Sequence, residues 1–80
     1  MTAITGQVPD GAREITTGQA NRVWYVDGTV PYVLKHYRTP GRAANEAAAL
    51  TLLARHQAPA PTLLAADPDA RPAWTAQSAV

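Results

Sequence analysis

Arg22-Val23-Trp24-Tyr25-Val26-Asp27-Gly28-Thr29-Val30-Pro31-Tyr32-Val33-Leu34-Lys35-His36-Tyr37 is the stretch that decides the fold. Val23 to Val26 are all β-branched or aromatic, the composition of a half-buried strand. Asp27-Gly28 is a common hairpin turn pair, because both central positions of a tight hairpin turn need positive φ. The chain resumes as a strand from Thr29 or Val30 to Tyr37. Pro31 falls near its start, where a missing N–H is tolerable. Four of the five aromatic residues lie in this hairpin, so it carries much of the bulky apolar surface. Alternation puts Val33, Lys35 and Tyr37 on one face of the second strand and Tyr32, Leu34 and His36 on the other.

Upstream, Gly18-Gln19-Ala20-Asn21 separates the hairpin from a short strand over Glu14 to Thr17, where β-branched residues cluster. Residues 1–13 carry Gly6, Pro9, Asp10 and Gly11 without periodicity and read as a loose lead-in, with one short strand at Ile4 at most. Downstream, Thr39-Pro40-Gly41 closes the strand. An Ala-rich run from Arg42, free of Gly and Pro, predicts a helix over about 42–57. Pro59-Ala60-Pro61 stops it. Thr62 to Ala66 reads as a strand, Asp67-Pro68-Asp69-Ala70 as a turn, and Arg71 to Gln77 as the returning strand. The order predicts an α+β fold: a mostly antiparallel five-stranded sheet over residues 14–80, with one main helix after the third strand. One helix covers one face only, and nothing in 80 residues is left to cover the other. Ser78-Ala79-Val80 carries no stop signal, so the chain reads as part of a larger architecture or as a module that docks on a partner.

Composition narrows the function classes. There is no Cys, so no disulfide framework or thiolate metal site can offset the thin margin of so small a domain. A net charge of +1 gives no footprint for nucleic acid or an anionic membrane. No apolar run approaches the ~20 residues of a membrane span, and residues 1–10 do not resemble a signal peptide. A cytoplasmic setting is the expectation. His36 and His56 lack partners at ligand spacing, and Asp67-Pro68-Asp69 lacks the Gly and Glu of a calcium loop, so no metal site is assigned.

The chemistry rests on two scarce residue types. Lys35 is the only Lys among seven basic residues, and Glu46 is one of two Glu. Helical spacing puts Glu46 on a stripe with Ala43, Ala49, Leu50 and Leu53. An acid on an apolar stripe needs a partner, because an unpaired buried carboxylate is costly. Lys35 lies roughly 7 Å back from the strand's end and Glu46 roughly 6 Å into the helix, so the two can meet at similar height. A Lys held by a Glu is suited to gripping a phosphate oxygen. Two blander alternatives stand beside this: a solvated strand Lys, and a Glu46 paired with Arg42 one turn earlier. Gly18 to Asn21 is either an ordinary turn or a loop whose N–H groups cradle phosphate.

Taken in order, Gly18 to Val26, Tyr32-Val33-Leu34-Lys35, Asn45 to Leu53 and Ala58 to Leu64 resemble the aminoglycoside phosphotransferase family, kinase-like enzymes acting on small molecules. The resemblance covers the N-terminal lobe, from about Glu14 to the last residue. It implies that Lys35 contacts the α/β-phosphates of ATP and that Glu46 positions it. It implies that Gly18 to Asn21 fold over the phosphates and that Val23 and Val33 lie above the adenine. It places Gln77 to Val80 near the hinge to a C-terminal lobe, and the hinge backbone would hydrogen-bond adenine. The family's His-x-Asp catalytic loop and its later Mg²⁺-binding Asp have no counterpart in these 80 residues. The resemblance therefore implies an ATP-binding N-lobe, inactive alone, whose Mg²⁺ ligands and acceptor pocket lie elsewhere, and no catalytic residue is assigned in this chain. The alternative is a non-catalytic module whose open sheet face docks on a partner chain.

Overall fold

A computed structural model describes residues 4–15, 21–39 and 41–79. Its elements are β1 (Arg13–Glu14), β2 (Arg22–Val26), β3 (Tyr32–Tyr37), α1 (Arg42–Arg55), β4 (Leu63–Asp67) and β5 (Ala73–Ser78). The five strands form one sheet in the order β1-β2-β3-β5-β4, with every neighbouring pair antiparallel. The predicted α+β class and element order hold.

The topology explains the helix. β5 is inserted between β3 and β4, so β3 and β4 run the same way without touching. Like-directed strands need a long crossover, and α1 supplies it. The helix begins at Gly41, whose φ of 91° is the left-handed conformation that glycine adopts without penalty. It ends in a Schellman motif: the Ala58 N–H donates to the Leu53 carbonyl and the Gln57 N–H to that of Ala54. Gln57 takes the left-handed position at φ 56°. The helix therefore stops at Arg55, slightly before the predicted end.

Four other boundaries differ from expectation. β2 and β3 are joined by residues 27–31 as an open loop rather than a two-residue turn, because Asp27 does not adopt positive φ and Pro31 delays the pairing. β4 and β5 begin one or two residues later than predicted. The first strand is short; Ile15 extends it by donating its N–H to the Val23 carbonyl at 2.8 Å. Thr16 and Thr17, predicted to be strand, lie outside the described residues. The Asp67–Ala70 turn forms as composition required, with the Ala70 N–H donating to the Asp67 carbonyl and the Asp69 N–H to the Asp67 carboxylate.

The two faces of the sheet are covered differently. On one, Tyr37 packs with Ala43 of α1 and Ala73. On the other, Trp24, Leu34 and Ala76 form a core against which Ile4, Ala12, Tyr32 and Trp74 pack. This corrects the expectation that nothing remains to cover the second face: the segment before β1 does so. Gly6 lies so close to the Trp74 indole that no Cβ would fit. Its carbonyl is 2.7 Å from His36 Nε2, and the His36 ring meets Trp24 edge-on with centroids 4.5 Å apart. The lead-in shows no periodicity because it docks through a backbone carbonyl, one glycine contact and two widely spaced apolar side chains, Ile4 and Ala12, which together form no repeating hydrophobic pattern. Beside it, the Arg22 guanidinium forms two bonds to Glu14 at 2.9 and 3.0 Å and lies over the Trp24 ring. No helix among the described residues is long and apolar enough to cross a membrane.

Candidate functional site

Residues directly opposite in antiparallel strands share a face, so the register builds the site. Lys35 on β3 stands opposite Val23 on β2 and Thr75 on β5. Val33, two residues earlier, stands opposite Tyr25 and Gln77. Val23, Val33 and Lys35 therefore lie together on the face that α1 covers in part. All three are half-buried.

Lys35 Nζ donates to Glu46 Oε1 at 3.3 Å. The structure thus brings together the two residues singled out by scarcity and spacing. It resolves the alternatives: Glu46 bonds to Lys35, and among the described residues the only other ion pair is Arg22–Glu14. The Lys35 side chain keeps 25% exposure and that of Glu46 37%, so the pair is reachable from solvent. An ammonium has three protons to donate. Glu46 takes one, which leaves the others directed by a fixed head group. Exposure at this level makes the pair a weak contributor to stability. Its value is positional.

Only part of the predicted helix stripe is covered. Ala43 and Leu50 are buried and Glu46 and Ala47 half-buried, while Ala49 and Leu53 are exposed. The helix meets the sheet along β4 and β5, so a narrow 43–47–50 line is sealed and its flank is not. Glu46 sits at the edge of that line, which lets its carboxylate turn toward β3.

Tyr37 braces the same region. Its hydroxyl is 2.9 Å from Thr75 Oγ1, and Thr75 is fully buried. Burial raises the Tyr37 pKa above the usual 10.0; the Thr75 bond offsets part of this, and the nearby Glu46 charge adds to it. A pKa raised by folding means the associated stability is complete below the ordinary tyrosine pKa and is lost as pH rises through the folded one. Tyr37→Phe should strand the Thr75 hydroxyl and cost about 1–3 kcal/mol at neutral pH, while removing this alkaline loss. Thermal melts check it, and adding Thr75→Val should restore most of the stability.

Asn21 is half-buried and precedes β2, at the sheet end where β3 finishes. Gly18, and with it most of the predicted phosphate-folding loop, lies outside the described residues. No three His, Asp or Glu side chains converge among the described residues, so these provide no complete divalent-cation site. The Thr75–Tyr37 bond and the enclosure of Gln77 were not legible in sequence, because both depend on which β5 residues fall opposite β3.

Comparison with curated proteins and with solved structures finds no match. Residues 11–80 match the family model described as phosphotransferase enzyme family. With a five-stranded antiparallel sheet, a helix crossing from β3 to β4 and a Lys–Glu bond between them, the chain belongs to that phosphotransferase enzyme family, as its resemblance to aminoglycoside phosphotransferases implied.

Proposed function

We propose that this chain is the ATP-binding N-lobe of a kinase that transfers the γ-phosphate of ATP to a hydroxyl of a small molecule. The observation that carries the reading is the 3.3 Å bond from Lys35 to Glu46, on the sheet face that also holds Val23 and Val33. Lys35 would meet the phosphates as a point charge whose place Glu46 sets, and the valines would take the apolar base. Gly18 and Asn21 would close over the phosphates. Phosphotransferases of this family generally use ATP with Mg²⁺, which supplies charge neutralisation on the phosphates. In this reading the Mg²⁺ ligands, the acceptor pocket and the catalytic loop would be supplied by a C-lobe, as the family resemblance implies. The reading places the protein in the cytoplasm, where ATP is abundant and a cysteine-free chain needs no oxidising setting.

Calorimetric titration of the 80-residue chain tests the reading. ATP should bind more tightly than adenosine, because the phosphates meet Lys35, and the difference should shrink as salt rises. Equal affinities would reject the phosphate grip. Absence of any nucleotide binding, together with concentration-dependent association of the chain, would favour a docking module instead.

A further inference from the structure

We propose that the end of the sheet where β3 stops and β5 starts holds an anion site, with Arg38 and Arg71 as donors, that takes the phosphate group of a small phosphorylated molecule. The site is independent of the nucleotide-binding reading, because Lys35 borders neither of the two cavities that form it.

The larger cavity, about 480 Å³, is bordered by Arg38 and by residues 68–73, the turn into β5 and its first residue. The smaller, about 240 Å³, is bordered by Arg22, His36 and Arg38. Tyr37, Arg38 and Pro72 are common to both, so the two form one groove with Arg38 between them. The larger alone falls within the roughly 300–1,000 Å³ of small-molecule sites.

Positive charge is concentrated here. The chain carries a net charge of only +1, yet three of its six Arg border this groove, and the one acid bordering it is Asp69. Arg22 is committed to Glu14 by two bonds, and His36 Nε2 to the Gly6 carbonyl. Arg38 and Arg71 are uncommitted: among the described residues no carboxylate, that of Asp69 included, lies within ion-pair distance of either. Two exposed arginines alone would be solvated surface groups. What sets this pair apart is the lining between them, the buried Tyr37 and Ala73 with Pro68 and Pro72. Proline lacks an N–H and has a fixed φ, so this wall is apolar and stiff. An apolar wall keeps water from one side of a bound anion and strengthens its bonds to the guanidiniums. The planar fork of each guanidinium matches two phosphate oxygens. The phosphate would lie between Arg38 and Arg71, and the organic body of the ligand against Pro72.

The test follows the backbone amide resonances of the 80-residue chain at fixed ionic strength during titration with phenyl phosphate, and with inorganic phosphate and phenol as its two halves. Phenyl phosphate should saturate with shifts centred on Arg38 and Arg71. Inorganic phosphate should bind several-fold more weakly, and phenol more weakly still. Arg38→Gln and Arg71→Gln should each weaken phenyl phosphate by roughly tenfold, whereas Lys35→Ala should leave its affinity unchanged. Loss of binding in Lys35→Ala with retention in both Arg variants overturns the proposal and puts the anion beside Glu46 instead. Retention in all three variants, or phenol binding as tightly as phenyl phosphate, also overturns it. Both arginines are exposed, so each Gln variant should melt within about 4 °C of the wild type. A larger fall in both would show that the guanidiniums are already paired within the fold and reject the site.

Discussion

Lys35→Ala should weaken ATP binding by roughly 10- to 100-fold and leave adenosine binding unchanged. The magnitude follows from the loss of charge-assisted hydrogen bonds to phosphate, each worth about 1.5–3 kcal/mol. The selectivity follows from geometry, since Lys35 is at the level of Thr75 and the base would lie two residues away, against Val33. Lys35→Arg should not restore full affinity, because a planar guanidinium cannot occupy the site of a compact ammonium held at one point. Glu46→Gln isolates the positioning role. It keeps the shape and a hydrogen-bond acceptor but removes the charge that holds Nζ at 3.3 Å, so ATP should weaken by several-fold rather than by the full amount. If a C-lobe completes the proposed kinase, Lys35→Ala should lower its kcat/KM by orders of magnitude. An ATP affinity in Lys35→Ala indistinguishable from that of the wild type would sink the phosphate grip, whatever the Glu46 variant does.

The substitutions are informative because the pair stabilises the fold so little. Both side chains are partly solvated, and an exposed pair contributes about 0–1 kcal/mol. Either variant should therefore fold, and a change in ATP affinity can be read as a change at the site.

How far the sequence carried the reading depended on where information is local. The central hairpin was legible because Arg22 to Tyr37 is rich in β-branched and aromatic residues, and alternation along its second strand placed Val33 and Lys35 on one face; that Val23 joins them was implied by the resemblance and follows from the register Val23↔Lys35. The Lys35–Glu46 contact was legible because an acid on an apolar stripe requires a partner and the chain offers a single Lys. The breadth of the helix stripe was not legible: periodicity makes Ala49 and Leu53 equal to Ala43 and Leu50, and only the position of α1 over β4 and β5 separates them. The docking of the lead-in was hidden for a different reason. Two of its contacts, a backbone carbonyl on His36 and a bare Gly6 against Trp74, do not depend on a side-chain pattern, and its apolar contacts, Ile4 and Ala12, are too far apart in sequence to show a period.

Leu34→Ala is the substitution expected to damage the fold most. Leu34 is fully buried between Trp24 and Ala76, on the face opposite Lys35. Truncating a buried Leu to Ala costs about 2–5 kcal/mol, through lost transfer energy and the cavity left behind. The upper part of that range is expected here. Trp24 and Trp74 are large and rigid, and Gly6 is already against the Trp74 ring, so the neighbours have little freedom to collapse inward. A domain of this length holds about 4–12 kcal/mol in total, so the loss takes a large share of it. The melting temperature should fall by roughly 10–30 °C. Leu53→Ala is the matched control, with the same atoms removed from a side chain that is 39% exposed, and it should cost less than about 1 kcal/mol. Because Leu34 and Lys35 point to opposite faces, the fraction of Leu34→Ala that remains folded at low temperature should bind ATP with near wild-type affinity. Equal losses of stability in Leu34→Ala and Leu53→Ala would show that the second face is not packed by the lead-in and the two Trp. A selective loss of ATP affinity in folded Leu34→Ala would show that the two faces are not independent.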